Sequence, residues 1–132
     1  MNENDFDVII AGEGNRRETT IEHPDLRLGV AVFVFALLDL LVIRKARLQK
    51  VVDMYDLPIE LDKSGITRAD VADALDYVVA NDNEWATSFN NVCSTLGLSV
   101  EATQEELVEM VRRSKNPHVK AGLKIHLARR QW

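Results

Sequence analysis

Gly12 and Gly14 follow a β-rich stretch, the setting in which a glycine loop can cradle a dinucleotide phosphate. The third glycine of that pattern falls due at position 17, where the chain has Arg17, and no helix opens there. A hairpin turn is therefore the better reading. His118 and His126 could lie on neighbouring faces of one helix, but no Asp or Glu follows Glu109, so a metal would need carboxylates from elsewhere in the fold. Those two histidines and His23 are expected to be exposed or capping. None of Ser64, Ser88, Ser94, Ser99 and Ser114 sits in a Gly-x-Ser-x-Gly turn. The one cysteine, Cys93, falls on an apolar helix face and reads as core. Asp70, Asp73 and Asp76 repeat every three residues, a spacing expected to give a solvated acidic face. Asp39 is the odd acid, set inside an apolar run; if buried, it needs a partner or a raised pKa. No catalytic set emerges, so no enzymatic activity, cofactor or metal is expected.

Charge is distributed unevenly. The chain carries −5 overall, yet residues 112–132 hold seven bases and no acid, leaving −12 on the rest. Arg112, Arg113, Lys120, Lys124, Arg129 and Arg130 are thus the candidate contacts for an anion or a nucleic acid. The alternative is that this basic end docks on its own acidic body or on a neighbouring subunit. Gly65-Ile66-Thr67-Arg68 with Val71 and Leu75 resembles the turn and second helix of a helix-turn-helix. Its first helix would have to run through Pro58, and its reading helix would present Asp70, Asp73 and Asp76 to phosphates, so that reading is set aside.

The elements that must position these groups are mostly helical. The fold class expected is mainly α, with an N-terminal β-hairpin over residues 6–22 packed on a bundle of about five helices, all in one domain spanning 1–132. A long apolar central helix is expected over 25–56. Its Val34, Leu38, Leu41, Leu48, Val52 and Tyr55 follow heptad spacing, which could seat it in its own bundle or pair it with a second copy. Amphipathic helices are expected over 67–111. Thr67 with Asp70 marks one start; Asn81-Asp82-Asn83 separates two helices. Trp85, Phe89, Val92, Cys93 and Leu96 form a stripe closed by Gly97, and Thr103 with Glu106 marks a further start. A basic amphipathic helix is expected over 117–131. The run from Leu26 to Ile43 is near the lower length limit for a membrane span and contains Asp39, so a membrane role is not favoured. The acidic, polar start Met1–Asp5 does not read as a secretory signal, and a cytoplasmic location is expected.

Two short stretches, Asp56-Leu57-Pro58-Ile59-x-Leu61-x-x-x-Gly65-Ile66 and Ala102-Thr103-Gln104-Glu105, resemble the helical C-terminal region of iron-containing alcohol dehydrogenases. That family places a metal segment before a Gly-Val-Gly run. Here Pro24-Asp25-Leu26 precedes Gly29-Val30-Ala31, and the nucleotide domain is absent, so the resemblance is not adopted. The layout of a hairpin followed by an acidic helical body is similar to that of phage tail-assembly chaperones, an analogy of architecture alone. The functional expectation is a non-catalytic protein–protein interaction protein: a regulator, adaptor or assembly factor acting as a homodimer or with a protein partner. The rival is a nucleic-acid-binding regulator that uses the basic C-terminal helix.

Overall fold

A computed structural model of the chain describes residues 23–130. They form six helices: α1 (Pro24–Asp39), α2 (Lys45–Met54), α3 (Arg68–Val79), α4 (Phe89–Leu96), α5 (Val100–Arg113) and α6 (Pro117–Arg130). Among the described residues there is no strand, which corrects the expectation of a mixed fold with a hairpin on about five helices. The hairpin expected over residues 6–22 lies outside the described residues.

The central helix expected over 25–56 is two helices. α1 starts with Pro24 in its first turn and His23 accepting the Asp25 N–H through Nδ1 at 3.2 Å. It stops at Asp39, and the chain turns a corner through Leu41, whose φ is +61°. A leucine in the left-handed region costs about 1–2 kcal/mol. The corner is held because Leu40 and Ile43, on either side of it, are buried in the core. The Lys63 ammonium also donates to the Ile43 carbonyl at 2.5 Å. No helix of the described residues is long and apolar enough to cross a membrane.

α2 ends in a left-handed cap. The Leu57 N–H donates to the Val52 carbonyl at 2.9 Å and Asp56 takes φ +50°, the position where glycine is usual. The Asp56 carbonyl accepts from Arg27 Nη2 at 2.6 Å, a contact that any residue would supply. Asp56→Gly is therefore expected to stabilise the fold by about 0.5 kcal/mol in urea unfolding, the relief of backbone strain outweighing the extra chain entropy. A loss of stability would show that the Asp56 side chain contributes something the backbone does not.

α3 begins with the expected capping box: Thr67 Oγ1 accepts the Asp70 N–H, and Asp70 Oδ2 accepts the Thr67 N–H at 2.8 Å. α4 starts four residues later than the Trp85 stripe implies, with Ser88 as its cap in place of Asn81-Asp82-Asn83. It closes on Gly97 at φ +74°, as the sequence pattern predicts. α5 opens at Ser99, not at Thr103. Thr103 is fully buried within the helix, and its hydroxyl donates to the Ser99 carbonyl at 2.6 Å. The core gathers around α1, which packs on α2, α3 and α4. Phe33 stacks on Phe89 with ring centres 5.4 Å apart, and Tyr77 meets Phe89 edge-on at 6.0 Å. α3 against α6 is the most extensive helix pairing of all.

Candidate functional site

α6 reaches α3 at close range because Gly122 has no side chain. A Cβ there would lie 2.5 Å from Val71 Cβ and 2.9 Å from the Arg68 carbonyl oxygen. This approach brings the basic helix onto the acidic row of α3. Arg129 Nη1 donates to Asp73 Oδ1 at 2.8 Å and to Asp76 Oδ2 at 2.7 Å. His126, only 5% exposed, meets Asp76 Oδ1 through Nδ1 at 2.6 Å. Two of the three acids expected to be solvated thus anchor the C-terminal helix, and Arg129 is engaged within the chain.

The other candidate cations do not share a face. Arg113 lies 3.6 Å from Glu109 and 3.7 Å from Glu106. Arg112 borders a shallow concavity with Gln104, Glu105, Val108 and Glu109, where acids outnumber it. Arg130 is exposed at the last turn of α6. Lys120 and Lys124 line a different feature, a groove of about 610 Å³ between the start of α3 and the first half of α6. Arg68 completes its basic rim; Pro117, Ala121 and Ile125 form the apolar part. Among the described residues no carboxylate forms an ion pair with Arg68, Lys120 or Lys124. Sequence reasoning missed Arg68 as a partner of the two lysines. Position 68 is separated from the lysines in the chain by the whole of α4 and α5, and it is the close packing of α6 on α3 at Gly122 that brings it near.

Five of the six residues expected as an interface lie in the chain's own core. Val34, Leu38, Leu48, Val52 and Tyr55 are buried in the core, and Leu41 is partly buried against it. The heptad spacing therefore records how α1 and α2 sit in their own bundle. Cys93 is buried as expected, and burial pushes its thiol up to about 12, leaving it protonated and inert at neutral pH. Asp39 closes α1. Its carboxyl is pushed up to about 6, first by burial and then by the nearby negative charges of Asp70 and Asp73. Among the described residues no three of the His, Cys, Asp and Glu side chains gather closely enough to hold a metal ion.

The loop between α3 and α4 also differs from expectation. Trp85, by its spacing the first residue of the expected stripe, is 67% exposed. The stripe begins at Phe89, and the preceding residues turn Trp85 outward. A second concavity, about 320 Å³, lies between the first turns of α1 and the Pro58-Ile59 segment; it is lined by Pro24, Leu28 and Ala31 with Arg27. In comparisons with known proteins the chain matches no family model, no curated protein and no solved structure.

Proposed function

We propose that this chain is a non-catalytic protein-binding module whose groove between α3 and α6 takes an acidic segment carrying an apolar anchor. The observation that carries this reading is the groove itself: Arg68, Lys120 and Lys124 rim an apolar surface of Pro117, Ala121 and Ile125. Three cations favour carboxylates and set orientation, while the apolar part provides area that can be taken from water. A nucleic-acid footprint would be better served by a continuous basic face. Arg113 and Arg129 are paired with acids of the chain, and Arg112 lies among them, which counts against that rival.

The test is fluorescence anisotropy with a labelled synthetic peptide in which one tryptophan is flanked by glutamates, titrated with the full chain. Saturable binding is expected, weakened at least about tenfold by the double variant Lys120→Glu/Lys124→Glu. Arg130→Glu, outside the groove, is expected to leave it nearly unchanged. If the peptide does not bind and a short DNA duplex does, with affinity falling steeply as salt rises, the nucleic-acid reading replaces this one.

A further inference from the structure

The Trp85 loop is built to hold one aromatic side chain in solvent. Asn91 Nδ2 donates to the Asn83 carbonyl at 2.9 Å and to the Trp85 carbonyl at 2.7 Å. Asn90 Nδ2 donates to Asn83 Oδ1 at 3.0 Å, and the Glu84 N–H donates to Asp82 Oδ1 at 2.8 Å. The Tyr77 hydroxyl, reaching from α3, donates to the Thr87 carbonyl at 2.7 Å. α1 backs directly onto the loop: a Cβ on Gly29 would lie 2.6 Å from the Ala86 carbonyl oxygen. So many tethers fix the loop before any partner arrives, which lowers the ordering cost of binding. Tryptophan is usually well covered in folded chains, and it is one of the residues enriched among interface hot spots.

The chemistry beside Trp85 matches the groove described above. Asp82 and Glu84 shortly precede Trp85 in the loop and carry two negative charges; the groove offers three positive ones around an apolar surface. An arginine such as Arg68 can also lie over the face of an indole ring. Within one molecule the two features stand apart. Arg68 is the first residue of α3, whereas the loop follows its last residue, Val79. A helix of 12 residues places those ends roughly 18 Å apart. A single copy therefore carries plug and socket at opposite ends of one helix.

We infer that the Trp85 loop of one copy docks in the Arg68–Lys120–Lys124 groove of a second copy, so that the chain associates with itself head to tail. The inference rests on the reading that the groove takes an acidic segment with an apolar anchor. Such a contact uses two different surfaces, so it propagates into a ring or an open chain and does not stop at a two-fold dimer. A contact made by one loop in one groove is expected to be weak and dependent on concentration.

Sedimentation velocity of the full chain between about 5 μM and 1 mM tests this. The average mass is expected to rise with concentration and to fall back in high salt. Trp85→Ala and Lys120→Glu/Lys124→Glu alter exposed side chains, so both variants are expected to keep the wild-type circular dichroism. Each is expected to weaken self-association by about tenfold or more. Mixed in equal amounts, they are expected to pair and to stop at two subunits, since the first keeps its groove and the second its loop. Wild-type chain that stays monomeric throughout overturns the inference, as does association that survives Trp85→Ala. If the chain is monomeric but the acidic peptide still binds through Lys120 and Lys124, self-recognition falls and the groove reading stands. If neither is seen, both fall.

Discussion

Gly122→Ala is expected to destabilise the fold by about 2 kcal/mol, although alanine is the better helix former. In an exposed helix interior the change would gain up to about 1 kcal/mol. Here the added methyl meets Val71 Cβ at 2.5 Å, Val71 Cγ1 at 2.6 Å and the Arg68 carbonyl oxygen at 2.9 Å. Neither a Cβ nor a helical carbonyl can swing aside, so α6 must lift from α3, and overpacking of this kind costs about 3 kcal/mol. Lifting α6 also strains the Arg129 bridge to Asp73 and Asp76 and the His126 contact with Asp76. Thermal unfolding should show a melting temperature lower by roughly 8 °C. Val71→Ala should not rescue it, because the nearest clashing atom is the Cβ that alanine retains. The same variant should bind the acidic peptide poorly, since the groove takes Arg68 from one helix and Lys120 and Lys124 from the other. A stabilised Gly122→Ala would mean that α3 and α6 do not approach this closely.

The parts of this architecture that could be read from the sequence are those governed by local chemistry. Thr67 and Asp70 satisfy one another's backbone within a single turn, and Gly97 supplies the left-handed residue where α4 ends. Neither depends on what packs nearby. The corner at Leu41 was hidden because apolar residues continue through it: Leu40 and Ile43 are as buried as the residues of α1 and α2. A hydrophobic pattern reports burial and not chain direction, so two helices meeting in one core read as one long helix. The start of α5 was ambiguous in a different way. Ser99 and Thr103 are both capping residues four positions apart; beginning at Ser99 lets Thr103 go into the core with its hydroxyl bonded to the Ser99 carbonyl.

The candidate site was the least legible part, for a related reason. The acidic row on α3 and the basic row on α6 were both visible as charge patterns, but which charges meet depends on how closely the helices approach. Gly122 sets that approach, and nothing in a lone glycine within a helical pattern announces it. Arg129 is thereby drawn onto Asp73 and Asp76, while Lys120 and Lys124, one to three turns earlier, fall beside Arg68. The spacing of Trp85 from Phe89 continues the helical stripe, whereas Asn91, which donates to the Asn83 and Trp85 carbonyls, holds this segment as a loop with Trp85 exposed.

Asp39 was conspicuous from the start as an acid within an apolar run, and its position yields the second large expected effect. It closes α1, where a negative charge opposes the helix dipole, and α3 places Asp70 and Asp73 near it. Asp70 accepts hydrogen bonds from the backbone N–H and the hydroxyl of Thr67, and Asp73 accepts one from Arg129. Asp39 is left to respond by holding its proton, with a folded-state pKa of about 6 against 3.8 for an ordinary aspartate. The folded chain therefore binds this proton more tightly than the unfolded chain between those two values. Asp39 costs the fold least below about pH 4, and its penalty grows as pH rises to 6 and then levels off. Asp39→Asn removes the charge while keeping the shape. Allowing for solvent screening of a side chain that is only partly buried, the gain should be roughly 1–2 kcal/mol at pH 7.5 and close to nothing at pH 4. Urea unfolding of both proteins at the two pH values isolates the effect, since acid lability from other carboxylates cancels in the difference. An equal gain at both would assign the benefit to the amide's contacts and not to the proton. A loss at pH 7.5 would mean that the ionised Asp39 has a favourable partner.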